Sequence, residues 1–485
     1  MDPSGNVRTT FGWVVGGTLQ LPAGKTSVTI KAAVVDNAGK TGSATQVVPI
    51  SPVDNGWCPR PVTGVPRSGG AWCATTNLFT DSFMEETTHA PGQGLSRRAV
   101  LSGLVPALAV AGTSAAWASA TPVASPPAAL GRGTFPGLIT REKEPMNLEL
   151  PFPTLEDRLV PNNRFYVRSH FHIPTIEAAS WQLSIEGEVR NALKISYDEL
   201  RKMPSKTVTA TLECAGNGRA RLAPKVKGLL WEQGGVGNAT WTGVPLSALL
   251  ERAGVKPGAV EIIFEGTDQG EVTEEPKSPG AIHFARSLPL AKARQPEVLV
   301  AYLMNGQPLP PEHGFPVRLV VPGWYGMASV KWLSKIMVSA VPYDGYWQTL
   351  EYAYWKRERG LPTLTPVTEM LVKAEIARPA LHEEVPAGQP YRVYGAAWTG
   401  ESEVTRVEVS TDNGGSWQPA RLLEAAVPFA WRFWEFSWTP PTAPGRYTLQ
   451  ARATDRAGHT QPTTHDPDRR TYMVNKIGAV EVIVP

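Results

Sequence analysis

Residues 207–219 read TVTATLECAGNGR, and the change of texture within them organises the rest of the chain. Residues 207–213 are rich in β-branched side chains, which predicts a strand. The strand ends at Cys214, and Ala215-Gly216-Asn217-Gly218 continues as a small-residue loop up to Arg219. Functional side chains are often carried on such loops at the end of a rigid element. A thiolate near a fixed positive charge forms more readily and is a good soft-metal ligand. The same spacing also describes a buried structural cysteine. A cysteine hydrolase needs a histidine base and an orienting partner, and no motif singles out one of the eight His for that role.

Outward from this stretch, residues 181–189 (WQLSIEGEV) alternate like a strand, and Ser196 with Glu199 forms a capping-box pattern before a short helix. Residues 245–253 predict a second helix closed by Gly254, with strands at 261–265, 297–303, 316–321 and 331–338. After about residue 360 the pattern changes to short alternating strands and turns such as Asp412-Asn413-Gly414-Gly415. There Tyr447, Leu449, Ala451 and Ala453 alternate with Thr448, Gln450, Arg452 and Thr454. The fold class read from this is α+β: a mixed α/β domain at 146–360 followed by an all-β, immunoglobulin-like sandwich at 361–485.

The first 145 residues divide differently. Residues 96–120 (SRRAVLSGLVPALAVAGTSAAWASA) place Arg97 and Arg98 before a mildly apolar run ending in small residues, the layout of a twin-arginine export signal. Pro106, Gly112, Thr113 and Ser114 interrupt the run, which argues against a stable membrane span. Periplasmic or extracellular localisation follows as an expectation. Residues 84–120 are the signal region with Met84 as a candidate start, and 121–145 are a Pro/Ala/Gly-rich linker. Residues 1–83 read as a mis-called start or an upstream β-sandwich fragment, because residues 28–41 (VTIKAAVVDNAGKT) parallel 447–460 (YTLQARATDRAGHT). A net charge of +3 is too mild to argue for nucleic acid, and three Cys give no disulfide framework.

The segment LECAGNGR at 212–219 resembles the signature of the sulfite oxidase family of molybdenum enzymes. The resemblance extends over residues 150–485 through further motifs in order: FYVRSH at 165–170, WEQGGVGNATW at 231–241 and AYLMNGQPLPPEHGFPVRLVVPGWYGMASVKWL at 301–333. It implies a molybdopterin cofactor with one Mo per chain and Cys214 as the protein ligand. It also implies pterin contacts from Tyr166, Arg168, Ser169, His170, Asp268, His313, Arg318, Ser329, Val330 and Lys331. Arg318 and Lys331 suit a cofactor phosphate, and His313 and Asp268 the polar edges of the pterin.

The implied reaction oxidises sulfite to sulfate, with Arg168 and Arg219 on the anion, Trp231 as an apolar wall, Tyr352 as a hydroxyl donor and Arg470 as a further charge. Gly218, where animal members often carry a second arginine, and Ser169, in place of a frequent asparagine, bear on anion affinity. With no C-x-x-C-H motif or haem-binding domain read in the chain, the resemblance implies an external electron acceptor such as a c-type cytochrome, and a homodimer. A related molybdenum reductase of nitrate or a sulfoxide shares the same ligand and pterin contacts. A secreted β-sandwich scaffold or adhesion protein is the reading from a different class.

Overall fold

The computed structural model describes residues 131–358 and 361–485, together with the backbone of four strands in residues 7–59. These upstream strands belong to a separate unit, residues 1–114, in which Ser27–Val35 pairs antiparallel with Thr41–Val53. The signal region at 84–120 and the first part of the linker lie outside the described residues. Among the described residues no helix is long and apolar enough to cross a membrane.

Residues 146–366 are built around two five-stranded sheets. In one, Lys206–Glu213 pairs antiparallel with Val236–Pro245, which pairs in turn with Leu299–Met304. In the other, Gln182–Gly187 runs parallel to Leu333–Ser339, and Glu261–Glu271 and Ala281–Pro289 complete the antiparallel side. Helices are few and short. Tyr197–Lys202 starts where Ser196 Oγ accepts from the Glu199 backbone N–H at 3.2 Å. The second half of the capping box is not formed, because the Glu199 carboxylate pairs with Arg252. Leu246–Ala253 ends at Gly254, whose φ of +69° is a left-handed closure that favours glycine. Both expected helices form, and the described part of the chain is mostly β.

Two expected boundaries move. The second half of the 121–145 linker is ordered, with Ile139–Glu142 pairing against Asn147–Glu149. The boundary at 360/361 falls inside an antiparallel hairpin, Ala353–Glu358 with Leu361–Pro366. The C-terminal region then forms two four-stranded antiparallel sheets over one shared core, in which Val393, Val407, Trp434, Leu449 and Val482 are fully buried. Its strand Gly445–Asp455 pairs with Val404–Ser410 and Ala479–Val484. The turn after Asp455 folds back on the end of that strand through the bridge Thr454–Thr460, with Asp455 N donating to His459 O at 3.0 Å.

The two halves of this unit are not independent. Trp398, Trp431, Tyr472 and Met473 from the C-terminal region belong to the same apolar core as Phe165, Trp231 and Trp241. Thr211 marks the seam: its hydroxyl donates to Asn238 Oδ1 at 3.1 Å and accepts from the Trp431 backbone N–H at 2.8 Å. Thr211→Val keeps the shape but leaves that buried N–H without its acceptor. It should cost about 1–3 kcal/mol, read as a lower urea midpoint at unchanged m.

Candidate active site

The Cys214 loop is a tight turn anchored from both sides. Cys214 N donates to Gly235 O, and Asn217 N donates back to Cys214 O, both at 2.8 Å. The Asn217 side chain accepts from Gly235 N at 3.0 Å and donates to Glu213 Oε1 at 3.0 Å. Gly218 sits at φ +89°, which the turn into the 3₁₀ segment Arg219–Arg221 requires. The thiol, mostly buried, faces a cavity walled on one side by Tyr166, Arg168, Ser169 and His170. Asp268, His313, Arg318, Ser329, Lys331 and Tyr352 line the same cavity.

The wall carries an unusual charge balance. Arg318 is buried and donates only to backbone carbonyls, those of His313, Leu319 and Ser329. Burial brings its guanidinium down to about 10. Lys331 donates to Ser169 Oγ at 3.2 Å and Glu312 O at 2.8 Å. Burial, with Arg318 beside it, holds its ammonium well below the usual lysine range. Burial pushes the Asp268 carboxyl up to about 7, against the pull of Lys331, and its Oδ1 has no hydrogen-bond partner. Glu312, fully buried behind His313, likewise has one carboxylate oxygen without a partner. Burial lowers His313 to about 3, so it is neutral, and Nε2–H donates to Asn162 O at 2.8 Å.

A raised carboxylate has a consequence for stability. Asp268 takes up a proton in the folded chain near pH 7 but in the unfolded chain only near pH 4. Its contribution is therefore fully present below about pH 4 and is lost as pH rises through about 7. In the cofactor-free chain, Asp268→Asn should flatten the fall in thermal midpoint across that window, measured against the parent in the same buffers.

Tyr352 follows a single π-helical turn, Trp347–Glu351, that Arg286 holds by donating to the carbonyls of Trp347 and Val367. Its hydroxyl lies 2.6 Å from His170 Nε2 and within hydrogen-bonding reach of Arg168. Burial pushes the phenol up to about 12 despite Arg168, so it keeps its proton at neutral pH. His170 stacks on Phe284 at 4.5 Å, and burial, then Arg168, hold it well below the usual histidine range.

Eleven of the fifteen residues expected at the site thus line one cavity. Arg219, Trp231, Val330 and Arg470 do not. The Arg219 guanidinium donates to Thr471 O and Leu229 O and lies over the Tyr472 ring at 5.2 Å. Trp231 is fully buried behind Tyr166, ring centroids 6.2 Å apart. Val330 is a core side chain, and Arg470 donates to the carbonyls of Leu350, Glu351 and Ala353 around Tyr352. Phe284, Glu312, Met327 and Trp332 line the cavity without having been expected. Of these only Glu312, a carboxylate next to His313 in PPEHGF, left a readable trace.

Residues 170–347 match the oxidoreductase molybdopterin binding domain, and 365–483 match the Mo-co oxidoreductase dimerisation domain. Sulfite oxidase from Gallus gallus is 36% identical over 370 residues, 72% of this chain and 78% of that protein. The chain belongs to the sulfite oxidase family. It is a molybdenum-dependent enzyme of the sulfite oxidase and dehydrogenase type. The chain spans 66% of the mitochondrial sulfite oxidase of Macaca fascicularis, at 34% identity over 72% of its own length. A nitrate reductase of Arabidopsis thaliana is 31% identical over 66% of this chain and 38% of that protein. The crystal structure of the sulfane dehydrogenase SoxCD from Paracoccus pantotrophus superposes with a TM-score of 0.61 at 28% identity, covering 72% of this chain and 87% of the other.

The cavity fits the cofactor of this family on its own chemistry. It offers a thiol, a cluster of buried cations for a phosphate, and two carboxylates with unpartnered oxygens for a ring carrying N–H donors.

Proposed function

We propose that the chain oxidises sulfite to sulfate, taking the added oxygen ultimately from water and releasing two protons and two electrons to an external acceptor. The observation that carries this reading is the meeting of Cys214, Arg168 and Tyr352 in one cavity. Cys214 would bind the metal, Arg318 and Lys331 the cofactor phosphate, and Asp268 and His313 the pterin edge. The bound cofactor supplies an oxygen to the sulfur lone pair and accepts two electrons.

The chain's own residues do the rest. Arg168 binds the trigonal anion with a fixed planar fork. Tyr352 stays protonated and donates to an anion oxygen, while neutral His170, as its Nε2–H tautomer, donates to the phenol oxygen and leaves that proton free. Arg219 acts through its field on Tyr352, since its N–H groups are engaged elsewhere. Arg470 shapes the turn that carries Tyr352. Phe284 and Trp347 pack around His170 and hold its ring against Tyr352.

The C-terminal pair of sheets we read as an immunoglobulin-like sandwich that joins two copies, a c-type cytochrome as the acceptor, and residues 96–120 as a twin-arginine export signal. A reductase acting on nitrate or a sulfoxide is the second reading, favoured by the likeness to a nitrate reductase. Turnover separates the two: sulfite-dependent reduction of ferricyanide or cytochrome c supports oxidation. Nitrate-dependent oxidation of a viologen dye with no sulfite turnover would sink it.

A further inference from the structure

The loop that carries Cys214 is held from outside its own domain. Lys373 and Glu375 lie on the strand Lys373–Arg378, the first strand of the C-terminal region. The Lys373 side chain, 1% exposed, donates to Glu213 Oε1 at 3.0 Å and to Asn217 O at 3.4 Å. Those two residues bracket the Cys214 turn, one immediately before the thiol and the other three residues beyond it. Trp398 Nε1, from the neighbouring strand, donates to the other Glu213 oxygen at 2.8 Å. Arg221 pairs through both terminal nitrogens with Glu375 at 2.7 Å, and Glu375 lies 3.8 Å from Lys373. Met473 N donates to Ala215 O at 2.8 Å, a third tie from the same region.

A buried ion pair of this kind seldom adds net stability, because desolvation offsets most of the attraction. Apolar side chains would fill the volume as well. What they could not do is tie both ends of the turn to one point.

We propose that Lys373 is a positioning residue for Cys214. The region matched as a dimerisation domain thereby completes the metal site of its own chain. The proposal rests on Cys214 as the metal ligand but concerns the geometry of the turn. Partners of metal ligands typically change affinity or activity tenfold or more when lost.

The test uses the full chain with Cys58→Ser and Cys73→Ser, which leaves Cys214 as the sole thiol. The alkylation rate of Cys214 by iodoacetamide is compared in the cofactor-free parent, Lys373→Met and the neutral double variant Glu213→Gln with Lys373→Met. Lys373→Met alone strands a buried carboxylate and lowers the thermal midpoint. The double variant removes both charges and returns the midpoint part of the way, since Asn217 Nδ2 and Trp398 Nε1 then share a single acceptor. The expected result is alkylation about tenfold faster in both variants. In the loaded enzymes kcat should fall while KM for sulfite stays within about twofold. Should Lys373→Met fail to fold, the double variant carries the comparison alone. Alkylation that returns to the parental rate along with the midpoint would make the network purely structural and overturn the proposal. Because alkylation is read without the metal, that failure is distinct from failure of the sulfite reading, which would show as a molybdenum-loaded parent without turnover.

Discussion

Cys214→Ser should lower sulfite turnover by roughly a thousandfold, equivalent to about 4 kcal/mol of transition-state stabilisation, while the chain stays folded. The replacement changes one atom in a mostly buried position. The backbone of the turn is held by Gly235 and Asn217 rather than by the side chain, so its shape survives. A serine hydroxyl is a far harder donor that stays protonated near neutral pH, so it cannot replace the thiolate at a soft metal. Steady-state reduction of ferricyanide at saturating sulfite reads the loss, and urea unfolding with an unchanged m value reads the retained fold.

Arg168→Gln raises the KM for sulfite about a hundredfold, near 2.7 kcal/mol, with a smaller change in kcat. Three cations line the cavity, and two of them, Arg318 and Lys331, are assigned above to the cofactor phosphate. Arg318 donates to three carbonyls and Lys331 to Ser169 and Glu312, and each keeps further N–H groups for the cofactor phosphate. Among Arg168's contacts, Nη1 donates to the carbonyl of Ser169 and to Asn147 Oδ1, and Tyr352 is a further partner. It therefore has donors left to turn toward a small anion beside the thiol. Glutamine keeps part of the length and one amide donor but loses the charge and the fork. The loss should fall on ground-state binding more than on the chemical step. An unchanged KM would move the anion site away from Arg168.

Much of this was legible before any coordinates. The strand into Cys214, the Ser196 cap and the Gly254 closure are local signals, written within a few residues, and each appears where expected. The motif FYVRSH supplies five residues of the cavity lining. Other features depend on where distant strands meet. Arg219 reads as a pocket charge because it follows the thiol so closely, yet the turn directs its guanidinium to Thr471 and Leu229. Trp231 reads as a wall, but Tyr166 stands between it and the cavity. Glu213 and Lys373 lie 160 positions apart, and no local pattern announces that they pair.

The central claim is that this cavity holds molybdenum through Cys214. Metal analysis of the full chain, purified from a host that makes the cofactor, tests it most directly. One molybdenum per chain is expected, absent or greatly reduced in Cys214→Ser. A folded parent chain carrying no molybdenum under those conditions would contradict it.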